Sequence, residues 1–401
     1  MSDDWQLVVL GDLVDRVRRR VDVIVGRDYP AISVLRDGSG LGAKDPFIGG
    51  QTNYSTLFEV HAGDVVVRTI TAFEAPVAVA CPEHHGTHVS QVFLTYTVRN
   101  GALPEYLRLV FQTPAFWEEM RNRAQGTVLR RKTISDESLR AIPLTMPPLE
   151  AQRRIVDLFA AVDASAEALA GEAMACAELE GPLVQSLVAR GSEGMESLPL
   201  GDVGEFVRGR RFTKAEYVPS GLGCIHYGQI HTHFGPVARK SLTFLPEESR
   251  SRLRLARPGD VVIAATSEDV DGLGKATVWL GDDDVAVHDD CYIFRHMLDP
   301  KFASYVFASP WFQHQKRQYA GGTKVTRISG ADLARIAVPI PPMAIQVTIG
   351  EALGALSDHV NAAFVELDAV RHLRMSLLTG LLSRRVEIPE AYDYLVDAGV
   401  A

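Results

Sequence analysis

Three things are scarce in this 401-residue chain: cysteine, long apolar runs and any excess of positive charge. Cys81, Cys176, Cys224 and Cys291 stand tens of residues apart, a spacing that excludes a zinc ribbon and a dense disulfide framework and points to a reducing compartment. No stretch of about 18 uncharged apolar residues occurs, and Met1-Ser2-Asp3-Asp4-Trp5 lacks the basic start and apolar run of a signal peptide. A cytoplasmic protein with no membrane span is therefore expected. The 41 lysines and arginines against 50 aspartates and glutamates leave a formal charge of −9, which argues against a uniformly basic nucleic-acid coat. What remains is ordinary globular composition, 46% hydrophobic and 23% charged, at a length suited to two or three domains.

What is abundant is repetition. Leu10-Gly11-Asp12-Leu13 recurs as Leu200-Gly201-Asp202-Val203, and Gly63-Asp64-Val65-Val66 as Gly259-Asp260-Val261-Val262. Gly126-Thr127 before Ile134-Ser135 matches Gly322-Thr323 before Ile328-Ser329. Ile142 through Pro147-Pro148 and Gln152 match Ile336 through Pro341-Pro342 and Gln346. Each copy opens with short β-branched runs (64–68, 89–98; 260–264, 291–294) punctuated by glycine, proline and asparagine, which favours strands and loops. Residues 104–123 and 300–319 read as helices, so each copy is mixed α/β.

A long helix follows each double proline. In the first, apolar residues fall every seventh position at Ile155, Val162, Leu169, Cys176 and Leu183. In the second, Ile349, Leu356, Ala363, Val370 and Leu377 form one register and Leu353, Val360, Leu367 and Leu381 the other, with Arg374 the charged exception. A sustained heptad calls for a partner helix, and the other copy supplies one. The resulting expectation is a mixed α+β protein of pseudo-two-fold repeat, in which two similar globular domains are joined by two long antiparallel coiled-coil helices. Pro182 is expected to break the first helix, ending it near residue 180.

Few patterns carry chemistry. Cys81, His84, His85 and His88 are metal-ligating types, but their spacing fits no zinc signature and Pro82 and Gly86 mark a turn. Gly38-Ser39-Gly40-Leu41-Gly42 and Gly272-Leu273-Gly274-Lys275 lack the registers of a dinucleotide or phosphate loop. Asp282-Asp283-Asp284 and His288-Asp289-Asp290 suit acidic turns as simply as a cation. No Asn-Pro-Pro-Tyr-like tetrapeptide or nuclease signature is present, so neither a catalytic residue nor a resident metal or cofactor is expected.

The basic clusters are more informative, because arginine's planar fork suits phosphate oxygens and guanine edges. Arg16, Arg18, Arg19 and Arg20 form one; Arg130, Arg131 and Lys132 follow Gly126-Thr127; Arg208, Arg210, Arg211 and Lys214 follow Leu200-Gly201-Asp202; Lys324 and Arg327 close the second copy. The clusters fall at corresponding places in the two copies. The polar run His226, Tyr227, Gly228, Gln229, Ile230, His231, Thr232, His233 adds donors, acceptors and a ring suited to base edges, and altering Tyr227 or Gln229 is expected to change sequence preference. These are the DNA-binding candidates.

This order of motifs resembles the specificity subunit of Type I restriction-modification systems. The run Ile142-Pro143-Leu144-Thr145-Met146-Pro147-Pro148-Leu149-Glu150-Ala151-Gln152-Arg153-Arg154 looks like the start of that family's conserved helix, and the likeness extends along essentially the whole chain. The second start, Pro341-Pro342-Met343-Ala344-Ile345-Gln346, departs from it by lacking acidic and arginine neighbours. The resemblance implies a non-catalytic subunit with target recognition domains at 1–145 and 193–339, conserved helical regions at 146–192 and 340–385, and an acidic tail at 386–401. It implies that each recognition domain reads half of a bipartite, asymmetric double-stranded DNA target. The helices then set the unread spacer and dock two methyltransferase subunits, with Pro147, Pro148, Gln152, Arg153, Pro341, Pro342 and Gln346 as docking candidates. Restriction subunits join that core, and S-adenosylmethionine, ATP and magnesium bind the partners. A DNA-targeting subunit for another effector and a coiled-coil scaffold without DNA are the competing readings.

Overall fold

A computed structural model of the chain describes residues 5–128, 131–322 and 325–388. It divides into two compact units, Met1–Ala168 with Asp368–Ala401 and Leu169–Leu367. The two long helices, Leu149–Gly191 and Met343–Leu382, each contribute to both units. Among the described residues no helix is long and apolar enough to cross a membrane.

The first unit is built on an antiparallel sheet ordered Val14–Val17, Phe93–Val98, Val65–Arg68, Val77–Val79. Alternation along Val65–Arg68 sorts its residues by face. Val65 and Val67 pack with Tyr106, Leu107, Val110, Phe116 and Met120 of the helices Pro104–Phe111 and Pro114–Arg123. Val66 faces Ile32, Val60 and Val89 of a second sheet, ordered Arg20–Asp22, Thr56–Val60, Thr87–Val89, Asp28–Val34, Leu41–Ile48.

The second unit repeats the plan. Its first sheet runs Gly204–Arg208, Cys291–His296, Val261–Ala264, Ala276–Trp279, Val237–Ala238. Val261 and Ile263 meet the helices Pro300–Val306 and Pro310–Tyr319, while Val262 and Ala264 meet Ile225, Val285 and Val287 of the opposing sheet. The expected helices over 104–123 and 300–319 are thus each two, parted where Thr113 and Ser309 cap the second member ahead of a proline.

The repeated motifs are repeated devices. Gly63 and Gly259 both adopt left-handed backbone (φ +84° and +95°), and the following aspartate closes the turn: Asp64 accepts from His61 N and Asp260 from Arg257 N, both at 2.9 Å. Ser135 and Ser329 cap the short helices after them. Gln152, fully buried, accepts from Leu103 N at 2.9 Å and donates to Gly101 O and Pro147 O. Gln346 does the same work, accepting from Asp299 N at 2.9 Å and donating to Pro341 O. Both glutamines, expected at a docking surface, instead bracket the helix start to the loop ahead of Pro104 or Pro300. Gln152→Leu should destabilise the first unit by about 2–4 kcal/mol in a thermal melt, because three backbone groups lose their partner, while exposed Arg153→Ala should stay within about 0.5 kcal/mol.

Pro182 does not end the first helix, which continues to Gly191. Proline removes a hydrogen bond and crowds the preceding turn, at about 3 kcal/mol, but Gly181 before it meets no neighbour, and burial of Val184 and Val188 beyond it offsets that cost. The seam shifts as well: Leu183 is 39% exposed and Val184 takes the buried position, as a helix of 3.6 residues per turn drifts from a seven-residue repeat. In the second helix Ile349, Leu353, Val360, Ala363, Leu367 and Leu381 are buried as expected.

Within each unit the helices run antiparallel. In the first, Arg374 pairs with Asp163 and lies over the Phe159 ring, and Leu378 and Leu381 share a core with Ile155. In the second, Glu172 approaches His359, and the backbone at Gly191 packs against Ile345 and Ile349. The charged exception at Arg374 therefore has a partner across the seam.

Candidate nucleic-acid interface

Backbone hydrogen bonds gather the second unit's candidates at one end of its sheets. Arg210 N donates to Val287 O at 2.9 Å, Gly209 N to Cys291 O at 3.0 Å, Ala265 N to Asp290 O at 2.9 Å and Ile328 N to Ala265 O at 3.1 Å. Arg327 pairs with Thr266, and His231 Nε2 lies 3.4 Å from Thr266 O. Residues far apart in sequence, 208–214, 226–233, 265–275, 288–290 and 327, thus share one rim. Gly209 makes this possible, since a Cβ there would stand 2.1 Å from His288 O.

Arg208, Arg210, Arg211 and Lys214 are all exposed on that rim. Arg208 and Arg210 lean on the carbonyls of Asp289 and Arg252, leaving their charge uncompensated by any carboxylate among the described residues. His288 joins Asp290, and its Nε2 donates to Phe212 O, 2.9 Å away. Burial opposes its protonation, but the Asp290 hydrogen bond and charge, Phe212 O and Asp289 outweigh it and raise its pKa above the usual imidazole value. His226 goes the other way, its pKa lowered chiefly by burial. His231 is half-buried against Tyr227, and His233 is exposed beside Thr232.

Gln229 does not belong to the reading surface. It is buried, its Oε1 accepts from His226 N at 3.1 Å to cap the helix Tyr227–Thr232 and its Nε2 donates to Thr243 Oγ1 at 3.0 Å, so both ends of the amide are occupied. Tyr227 stays accessible, lining a concavity of about 490 Å³ with His231, Thr232, Glu268, Asp269 and Lys275. Buried Lys316 anchors the floor by donating to Asp271 O and Leu273 O at 3.0 and 2.7 Å, and burial lowers its pKa to about 8.

In the first unit the arginine cluster splits. Arg19 reaches buried Asp64 through two hydrogen bonds, and Arg16 pairs with Asp136 over the Tyr96 ring. Both were expected at the interface; Arg19 instead neutralises buried Asp64, and Arg16 pairs with a partly exposed Asp136. Arg18 and Arg20 are exposed. They line a polar concavity of about 330 Å³ with Asn53, Tyr54, Thr56 and Gln91. The sequence reading missed Asn53, Tyr54 and Gln91; the polar run Gln51-Thr52-Asn53-Tyr54 signals the first two, and no local pattern signals Gln91.

The Gly-Thr loops are also equivalent. Gly126 and Gly322 share left-handed backbone (φ +127° and +129°), and bridges Gln125–Thr133 and Gly321–Arg327 close each loop. Arg131 is exposed and Lys132 partly so; Arg130 and Lys324 lie outside the described residues. Of the docking candidates, Pro148, Arg153 and Pro342 are exposed while Pro147 and Pro341 are buried. Among the described residues two side-chain clusters carry metal-ligating types, Cys81 with Glu83 and His84, and His288 with Asp289 and Asp290. In each a histidine is engaged internally, His84 Nδ1 by Cys81 N and His288 by Asp290.

Residues 192–363 match the family model of the Type I restriction modification DNA specificity domain. No curated protein matches the sequence. Among solved structures, the chain is similar to one from work on complex assembly and conformational transition of the type I R-M system, with 20% identity, TM-score 0.59 and coverage of 95% of this chain and 98% of that one. It is likewise similar to the Type-I restriction-modification system S subunit from M. genitalium, with 13% identity, TM-score 0.55 and coverage of 94% and 96%. At these identities the solved structures speak for the fold. Residues 192–363 thus match the Type I restriction modification DNA specificity domain, and the fold of the chain is that of a Type I specificity subunit.

Proposed function

We propose that this chain selects the DNA target of a Type I restriction-modification complex, each recognition domain reading one half of a bipartite, asymmetric duplex sequence. The observation that carries this reading is the recurrence of exposed arginine pairs, Arg18 with Arg20 and Arg208 with Arg210, at corresponding sheet ends of the two units. Uncompensated guanidinium groups on a rigid sheet end suit phosphate oxygens, which fix register while neighbouring side chains read bases. Residues 1–145 and 193–339 are the recognition domains in this reading.

The long helices set the unread spacer. At about 1.5 Å per residue, 43 and 40 residues make rods of about 65 and 60 Å, longer than one duplex turn of about 34 Å. Exposed Pro148, Arg153 and Pro342 at the helix starts are the docking contacts for two methyltransferase subunits. The chain itself carries out no chemistry; S-adenosylmethionine, ATP and magnesium act on those partners and on the restriction subunits, in a bacterial or archaeal cytoplasm.

Phosphate contacts release counterions, so affinity must fall steeply with salt. Double substitution of Arg18 and Arg20, or of Arg208 and Arg210, by alanine should weaken duplex binding for every sequence. Each should also lower the log–log salt slope by about one to two, at about 0.9 per phosphate lost. Fluorescence anisotropy of the full chain on a labelled duplex across a salt series reads both effects. Binding that ignores salt would sink the proposal.

A further inference from the structure

Sheet register superimposes the two candidate interfaces residue on residue. Val17 pairs with Thr95 and Thr95 with Val66 in the first unit; Val207 pairs with Ile293 and Ile293 with Val262 in the second. Counting outward from those pairs, Arg18 and Arg20 correspond to Arg208 and Arg210, and Gln91 corresponds to Asp289. The arginines recur, but the residue beside them changes. A position that varies between fixed neighbours is where two otherwise equivalent surfaces differ in what they recognise.

Gln91 is held as a reading group needs to be. It sits at the tip of the turn Ser90–Phe93, closed by Phe93 N donating to Ser90 O at 3.1 Å, and Thr69 donates to Val92 O from both its N and its Oγ1 at 3.0 and 2.8 Å. The backbone is therefore braced while the side chain is exposed, lines the concavity between Arg18, Arg20 and Asn53, and makes no hydrogen bond among the described residues. An amide offers one acceptor and one donor side by side. Of the four bases only adenine presents the complementary pair, N6–H donor and N7 acceptor, on its major-groove edge; guanine presents two acceptors there. Asp289, the counterpart, offers acceptors alone, and its Oδ1 lies 3.3 Å from His288 Nδ1.

We propose that Gln91 is a specificity-determining residue of the first unit, reading an adenine through N6 and N7 while Arg18 and Arg20 hold the flanking phosphates. This rests on the DNA-selecting function proposed above. The experiment is selection of bound duplexes from a randomised pool by the full chain, followed by sequencing. Wild type should enrich adenine at one position that Gln91→Ala releases, with a loss of preference there of about ten-fold or more and every other position unchanged. Gln91→Glu should move that position towards cytosine, whose N4 amino group a carboxylate accepts. Arg18→Ala should lower affinity for all sequences without altering the motif. An unchanged adenine preference in Gln91→Ala, or a loss spread evenly over all positions, overturns the assignment of Gln91. A wild-type chain that enriches no motif overturns the DNA-selecting function itself.

Discussion

Replacing Arg19 with alanine is expected to destabilise the first unit by about 3 kcal/mol while leaving intact the exposed arginines proposed to meet phosphate. The reason lies in Asp64, whose side chain is 3% exposed and which also accepts from His61 N at 2.9 Å to close the turn after Gly63. Removing the guanidinium leaves a buried carboxylate without its counter-charge, and the desolvation penalty is no longer offset. The lower end of the usual 3–5 kcal/mol range applies because Arg19 itself is 24% exposed and water screens part of the pair. Adding Asp64→Asn to Arg19→Ala should recover a good part of the loss, since a neutral amide still accepts from His61 N. Thermal melts and amide exchange at residues 61–68 check the pair, with Arg18→Ala as the neighbour expected to move stability by no more than about 0.5 kcal/mol. Full stability in Arg19→Ala together with weakened DNA binding would return Arg19 to the interface.

Gly209→Ala should be comparably severe in the second unit, and there the damage reaches function. The added methyl would stand 2.1 Å from His288 O and 2.4 Å from Val287 O, backbone atoms of a sheet that cannot move aside as a flexible side chain would. The loop must lift instead, giving up the bonds Gly209 N to Cys291 O and Arg210 N to Val287 O. Two lost backbone hydrogen bonds with buried partners amount to about 2–4 kcal/mol, and Arg208 and Arg210 lose their fixed positions. DNA affinity should fall about as far as in the Arg208→Ala, Arg210→Ala double variant, with faster amide exchange at Arg210 and Cys291. Gly171→Ala is the contrast: on an exposed helix with open space around its Cα, it should stabilise by about 0.5–1 kcal/mol. Wild-type melting and binding in Gly209→Ala would refute this account of the Arg208-Gly209-Arg210 motif.

Much of the architecture was legible because it is local or periodic. The repeated Gly-Asp motifs and the helical character of 104–123 and 300–319 follow from nearby residues, although each segment is split in two at Thr113 and Ser309. Much of the second helix's seam likewise emerged, at Ile349, Leu353, Val360, Ala363, Leu367 and Leu381, whereas Leu356, Val370 and Leu377 are only partly buried and Leu378 takes a buried place. The first helix was misjudged at Pro182 because its continuation depends on burial of Val184 and Val188, which no local rule weighs. Gln152 and Gln346 stood out correctly as a repeated pair, yet their partners Leu103 and Asp299 lie 49 and 47 residues upstream, so spacing alone could not separate a bracket from a docking contact.

The candidate site divides along the same line. By itself the sequence determined a two-copy α/β protein with heptad helices and arginine clusters at matching places, because repeats, periodicity and composition are properties of the chain alone. Only the tertiary structure decided which of those groups are available. Arg19 meets Asp64 from 45 residues away, Arg16 meets Asp136 from 120, and Gln229 meets Thr243 across the neighbouring strand, so three plausible reading groups are internally satisfied. Among the described residues Arg18, Arg20 and Gln91 have no carboxylate or backbone partner for the converse reason: they are exposed at a sheet end and on a braced turn, and the fold brings only Thr56 Oγ1, 3.5 Å from Arg20, within reach. Whether a polar side chain is a fastener or a reader depends on what the fold places opposite it, and that is a three-dimensional quantity.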